Sequence, residues 1–179
     1  MWGAQVEQQP QATSYIPTNG STEQRGADSV TNAGDSSTFN SESGVLFADV
    51  EMLSDSSTNK IILLDSVTND QIGVGQNNLD TFRITSSVGG GTSESYNMSL
   101  QNRIAVTYND SNICGWANGI KIINNTISSF NIDINTLQLR GTGGAAPLNA
   151  KTKSIQHWDY LTDEEMEALT GYQSYGDMS

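Results

Sequence analysis

The residues with the clearest chemical potential are two carboxylates one position apart. In Asp49-Val50-Glu51 both acids fall on the same side of an extended strand, because successive side chains of a strand alternate between its faces. Two carboxyls about 5–5.5 Å apart are the arrangement of retaining glycoside hydrolysis, one serving as acid and the other as nucleophile. Nucleophilic triads have no comparable basis. The chain holds a single histidine, His157, expected to face outward from a strand, and a single cysteine, Cys114, expected to be a small buried hydrophobe.

Binding offers more candidates than catalysis. Trp116 and Trp158 each carry a flat indole able to stack on the apolar C–H face of a sugar ring. Pairing with Lys121 across a hairpin places Trp116 on a half-exposed face, whereas Trp158 is expected to be buried beneath a terminal helix. Trp116, Lys121, Asp49 and Glu51 are therefore the candidate carbohydrate-contacting residues. Asp65, Asp70, Asp80, Asp110 and Asp133 sit where loops or strand ends are expected. Their oxygens would suit calcium, although no dedicated calcium loop stands out and no cofactor is otherwise implied. The runs Gly89-Gly90-Gly91 and Gly141-Thr142-Gly143-Gly144 do not open a helix after a strand, so they read as loops rather than phosphate cradles. The sequons at Asn19, Asn97, Asn109 and Asn124 are expected by chance in so Asn-, Ser- and Thr-rich a chain.

The elements that position these residues read as strands. The pattern predicts them at 44–53, 60–64, 71–75, 81–86, 96–100, 103–108, 112–117, 120–124, 137–140 and 153–158, with 125–135 too irregular to place. In the first, Leu46, Ala48, Val50 and Met52 alternate with the outward Asp49 and Glu51. Asn118-Gly119 between apolar runs signals a two-residue type I′ hairpin. With Ala117 opposite Ile120, that hairpin puts Ile113, Gly115, Ala117, Ile120 and Ile122 on one face and Cys114, Trp116, Lys121 and Ile123 on the other. A short helix is signalled near the end: Thr162 caps it, Glu165 closes a capping box, Leu161 staples onto Met166 and Gly171 ends it. About eight residues cannot hold a helix alone in water, so Met166 and Leu169 must dock, with the sandwich edge as the expected place.

Composition supports this class. The 179 residues include 20 acidic and 8 basic side chains, and the net charge of −12 repels nucleic acid and anionic membrane surfaces. No apolar run approaches the ~18 residues needed to span a bilayer, and the start has no signal-peptide core, so a soluble chain is expected. The expected fold is an all-β antiparallel sandwich with one short C-terminal helix. An extended arm is expected at 1–27, the sandwich at 28–172 and a tail at 173–179.

The hairpin Trp116-Ala117-Asn118-Gly119-Ile120, the later Leu137-Gln138-Leu139, and the ending from Ile155 through Leu161-Thr162-Asp163-Glu164-Glu165 to Leu169 resemble the concanavalin A-like (laminin G-like) lectin and glucanase superfamily. That resemblance implies a jelly-roll sandwich. The superfamily's glucanases carry a further acid shortly after the paired ones, and Leu53 and Ser54 stand there instead, so a non-enzyme is expected. Trp2-Gly3-Ala4-Gln5-Val6-Glu7 and Ala12 through Thr22 resemble a junction common in bacteriophage tail proteins, following a carbohydrate-binding jelly roll. Two features depart from it: Arg25-Gly26-Ala27-Asp28 replaces an Arg-Ala-Ala-Asp junction, and the chain starts at Met1 with no upstream domain. The resemblance implies a non-catalytic, host-recognition module of a tail fibre or virion surface, extracellular, meeting surface polysaccharide and neighbouring virion subunits. Assembly as a homo-oligomer, commonly a trimer, is inherited from the same resemblance. Its structural alternative is an assembly or decoration protein docking through the arm, and a polysaccharide hydrolase or lyase is less expected.

Overall fold

A computed structural model describes residues 34–52, 60–65, 71–78, 81–88, 92–98, 101–130, 132–139 and 150–171, preceded by Val6, Tyr15, Pro17 and 19–23. Most of the expected arm at 1–27, the whole tail at 173–179 and the loop acids Asp70 and Asp80 lie outside the described residues. Among the described residues ten strands form two antiparallel five-stranded sheets. They are β1 (Gly44–Met52), β2 (Lys60–Asp65), β3 (Gln71–Asn78), β4 (Thr81–Ser86), β5 (Thr92–Ser95), β6 (Gln101–Tyr108), β7 (Asn112–Ala117), β8 (Ile120–Thr126), β9 (Thr136–Gln138) and β10 (Ala150–Trp158). Sheet A runs β10-β1-β6-β7-β8 and sheet B runs β5-β4-β3-β2-β9. The expected all-β sandwich with one terminal helix is the fold observed.

Alternation explains the core. Leu46, Ala48, Val50, Ile104 and Val106 of sheet A meet Ile62, Leu64, Ile72, Val74, Phe82 and Ile84 of sheet B in one apolar cluster. At about 25 cal/mol per Å² of apolar surface removed from water, this layer is the main stabilising term. Gly115 sits where the sheets approach closely: a Cβ there would lie 2.4 Å from the Phe82 ring. The 125–135 stretch contributes to the same cluster from outside any strand, through Phe130, Ile132 and Ile134. Phe130 stacks on Tyr108 with ring centroids 4.8 Å apart.

Two strand expectations need correction. The edge strand β5 is Thr92–Ser95, not 96–100; Tyr96 to Met98 form no strand, and Met98 turns into the core. An all-polar edge strand leaves no apolar alternation to betray it. In the β7–β8 hairpin, Asn118 and Gly119 take the expected positive φ of 50° and 84°. The pairing then slips, with Trp116 opposite Lys121 but Gly115 opposite Ile123. This bulge returns Ile123 to the core rather than leaving it beside Trp116.

The helix α1 (Asp163–Thr170) has the expected capping box: Thr162 Oγ1 accepts from Glu165 N, and Glu165 accepts from Thr162 N at 2.8 Å. Asp163, Glu164 and Glu165 in its first turn complement the helix dipole. Its docking place differs from expectation. Instead of an edge, α1 covers the outer face of sheet A, where Val45, Phe47, Ala105, Cys114, Trp116 and Met166 form a second apolar cluster. The outward parity of β1 is thus apolar at Val45 and Phe47 and acidic only at Asp49 and Glu51, so a helix can seat on half the face. The hairpin holds α1 at both ends. Lys121 Nζ pairs with Asp163, and Gly119 N donates to Thr170 Oγ1 at 3.1 Å.

Candidate functional site

The four residues singled out by sequence all stand on the outer face of sheet A; the structure uses Trp116, Lys121 and Asp49 around α1, whereas Glu51 pairs with Lys151 of β10. Trp116 is 1% exposed beneath α1. The half-exposed indole expected from its pairing with Lys121 is therefore corrected: Met166 occupies the space a sugar would need. Lys121 Nζ lies 4.8 Å from the Trp116 ring centroid and is bonded to Asp163. Burial works against this ammonium, but the hydrogen bond and charge of Asp163 outweigh it and hold Lys121 above its ordinary value.

Asp49 and Glu51 share the expected outward parity without forming a catalytic pair. Asp49 Oδ2 meets Arg103 Nε at 3.4 Å, and Arg103 Nη1 also donates to the carbonyl of Gly171 at 2.7 Å. Glu51 pairs with Lys151 at 2.9 Å. The Lys151 hydrogen bond and charge hold the Glu51 carboxyl below its ordinary range, the wrong direction for a general acid working near neutrality. Asp49 Oδ1 is buried and accepts no hydrogen bond.

His157 and Trp158 exchange their expected fates. His157 registers opposite Leu46 and points inward rather than out. Tyr108 Oη donates to the carbonyl of Asn40 at 2.7 Å, which leaves its oxygen to accept from His157 Nε2 at 2.9 Å. Phe39 meets the imidazole edge-on at 5.3 Å, and burial lowers the His157 value against a smaller opposing effect of Asp159. Burial also pushes Tyr108 and Cys114 up. Trp158, expected beneath the helix, is 43% exposed. For metals, no group of three or more His, Cys, Asp or Glu converges among the described residues, Asp110 and Asp133 included.

The opposite outer face, that of sheet B, was missed by sequence reasoning. Its inward residues Ile72, Val74, Phe82 and Ile84 fill the core, so Gln71, Gly73 and Gly75 of β3 and Thr81, Arg83 and Thr85 of β4 look outward. Gly73 registers with Thr85, and Gly75 with Arg83, which in turn pairs with Ser93 of β5. Gly73 and Gly75 are buried, as is Thr85, and the two glycines register on their other side with Leu63 and Ile61 of β2. Arg83 Nε is buried and finds no hydrogen-bond acceptor. Among the described residues no helix covers this sheet. The available signal was a Gly-x-Gly inside a strand beside an Arg flanked by threonines at outward positions.

No family model and no curated protein matches the chain. Solved structures do. The chain is similar to the CBM40 module of the Ruminococcus gnavus IT-sialidase (TM-score 0.60, 15% identity, 73% of this chain and 84% of that one). The same module bound to α2,6-sialyllactose aligns over 82% of this chain and 97% of that one (TM-score 0.59, 14% identity). Domain 4 of AbnA, an extracellular arabinanase of Geobacillus stearothermophilus, in complex with arabinotriose, aligns over 76% and 70% (TM-score 0.58, 11% identity). Trypanosoma rangeli sialidase aligns over 72% of this chain but 22% of its own length (TM-score 0.57, 13% identity). These likenesses show the fold, an antiparallel β-sandwich that the chain shares with these modules.

Proposed function

We propose that this chain is a non-catalytic carbohydrate-binding module whose glycan lies across the outer face of sheet B with Arg83 at its centre. The observation that carries this reading is the buried, acceptor-less Arg83 Nε on a sheet face that no described helix covers. An unmet buried donor is costly, and a ligand oxygen would meet it. The planar guanidinium fork suits a carboxylate or a pair of adjacent hydroxyls. Two neighbours of the same architecture are described in complex with α2,6-sialyllactose and arabinotriose, which supports a glycan as the partner.

The concanavalin A-like lineage and a setting on a phage tail or virion surface, outside the cell, belong to this proposal on the strength of the sequence resemblance. Several copies on one particle would multiply a weak individual affinity. The test is a glycan array followed by calorimetry on the full chain and Arg83→Ala. Loss of about tenfold or more in affinity at unchanged melting temperature is expected. Equal affinity in the two proteins would sink the reading.

A further inference from the structure

Trp158 is an exposed indole that the fold does not explain. It ends β10 opposite Val45, on the outer side of sheet A, and belongs to neither apolar cluster. Its orientation is nonetheless fixed. Nε1 donates to Gln156 Oε1 at 3.1 Å, and Gln156 Nε2 donates to Ser154 Oγ at 2.8 Å. This relay along the edge strand pins the ring while leaving 43% of the residue open. Two residues on, Tyr160 is 57% exposed. Preorganising an exposed aromatic removes the entropy that a ligand would otherwise have to extract, which is of use only to a binding surface.

The electrostatics select the ligand. Asp159 stands exposed between the two aromatics, and its charge is felt at both Tyr108 and His157. Lys121, a cation on the same outer face, is engaged with Asp163. An anionic ligand is therefore repelled, whereas a neutral pyranose can lay its apolar C–H face on the indole and offer hydroxyls to Asp159. We propose that Trp158, with Tyr160, is a second sugar-binding position that stacks a neutral pyranose, on the opposite sheet from Arg83. It goes beyond the Arg83 reading and stands or falls independently of it.

The test titrates the full chain with neutral hexasaccharides of glucose, galactose, mannose and xylose, and with sialyllactose and oligoglucuronate as acidic probes. Trp158→Ala, Trp158→Tyr and Arg83→Ala are compared. Affinity is read by calorimetry, and contact by the indole N–H resonance that Trp158→Tyr removes. At least one neutral sugar should bind and shift that resonance. Trp158→Ala should weaken it about tenfold, Trp158→Tyr should keep most of it, and in Arg83→Ala the Trp158 indole resonance should still shift with that sugar. Absence of any neutral-sugar binding, full binding by Trp158→Ala, or equal loss in Trp158→Ala and Arg83→Ala would overturn the proposal. So would a self-association that Trp158→Ala abolishes, since a second copy would then cover the ring.

Discussion

The two outer faces of this sandwich are built from the same kind of strand and have opposite fates. On sheet A, apolar Val45, Phe47, Ala105 and Trp116 face outward and are roofed by α1, and the charges around them are matched: Asp49 with Arg103, Glu51 with Lys151, Asp163 with Lys121. On sheet B, the outward positions of β3 and β4 are Gln71, two glycines, two threonines and one arginine whose Nε goes unmet. A face roofed by its own helix is closed by folding, although Trp116 Nε1 and Asp49 Oδ1 stay unmet on it. A face with an unmet donor and no described helix over it is left for something else to finish, which is why function is placed on sheet B although the sequence drew attention to sheet A.

If that contrast is right, the largest loss of stability should come from Trp116. Trp116→Ala empties the centre of the covered face beneath Met166, and large-to-small core changes of this kind cost about 3–5 kcal/mol. Urea unfolding should show the unfolding free energy falling by that amount, while the fraction still folded binds glycan as before. Selective loss of binding at full stability would instead make Trp116 a ligand contact and erase the distinction between the faces. A smaller effect is expected at Thr162, whose Oγ1 caps α1. Thr162→Ala should cost about 1 kcal/mol and loosen the roof without touching sheet B. Protection of the Trp116 indole N–H from hydrogen exchange would fall, and that of the β3–β4 amides would not.

The features legible from sequence were those with local causes. The Asn118-Gly119 turn and the Thr162/Glu165 cap are written in adjacent residues, and both formed as expected. The strands of sheet A were legible because Leu46, Ala48 and Val50 alternate. Which of Trp116 and Trp158 would be covered was not legible, because both point outward and the outcome depends on where α1 lands. That landing is set by Val45, Phe47 and Ala105, residues distant in the chain whose parity suggests nothing special alone. The slip at Gly115 was hidden likewise, since a bulge leaves no composition signal. His157 was legible in retrospect: it shares parity with Ile155, which packs against the core, whereas Trp158 shares parity with Ser154 and Gln156.

A weaker effect should follow pH through His157. Burial lowers its value in the folded chain below the ordinary 6.5, so the unfolded chain binds the proton more readily. The stability associated with neutral His157 is full above that ordinary value. It is lost as pH falls through about 6.5 toward the lower folded value. The groups against the ring are Tyr108, Phe39 and, in the opposing sense, Asp159. Melting curves between pH 8 and pH 5 should fall more steeply for the natural chain than for His157→Gln, which removes this titration and leaves the other acids in place. Parallel curves would show that the imidazole is not held neutral by its burial on sheet A.

The smallest stability change should be the most telling for the comparison. Arg83→Met keeps an unbranched stem on the sheet B face and removes a buried donor that has no acceptor. An arginine whose role was to hold the fold would leave partners behind when deleted, as removal of Arg103 would strand Asp49 and the Gly171 carbonyl. Arg83 Nε has no such dependant, so unfolding free energy should stay within about 0.5 kcal/mol or rise. A drop comparable to that of Trp116→Ala would mean that Arg83 holds the fold together just as the residues under α1 do. Sheet B would then be a second finished face, and the argument for a glycan there would lose its physical ground even if the chain bound sugar elsewhere.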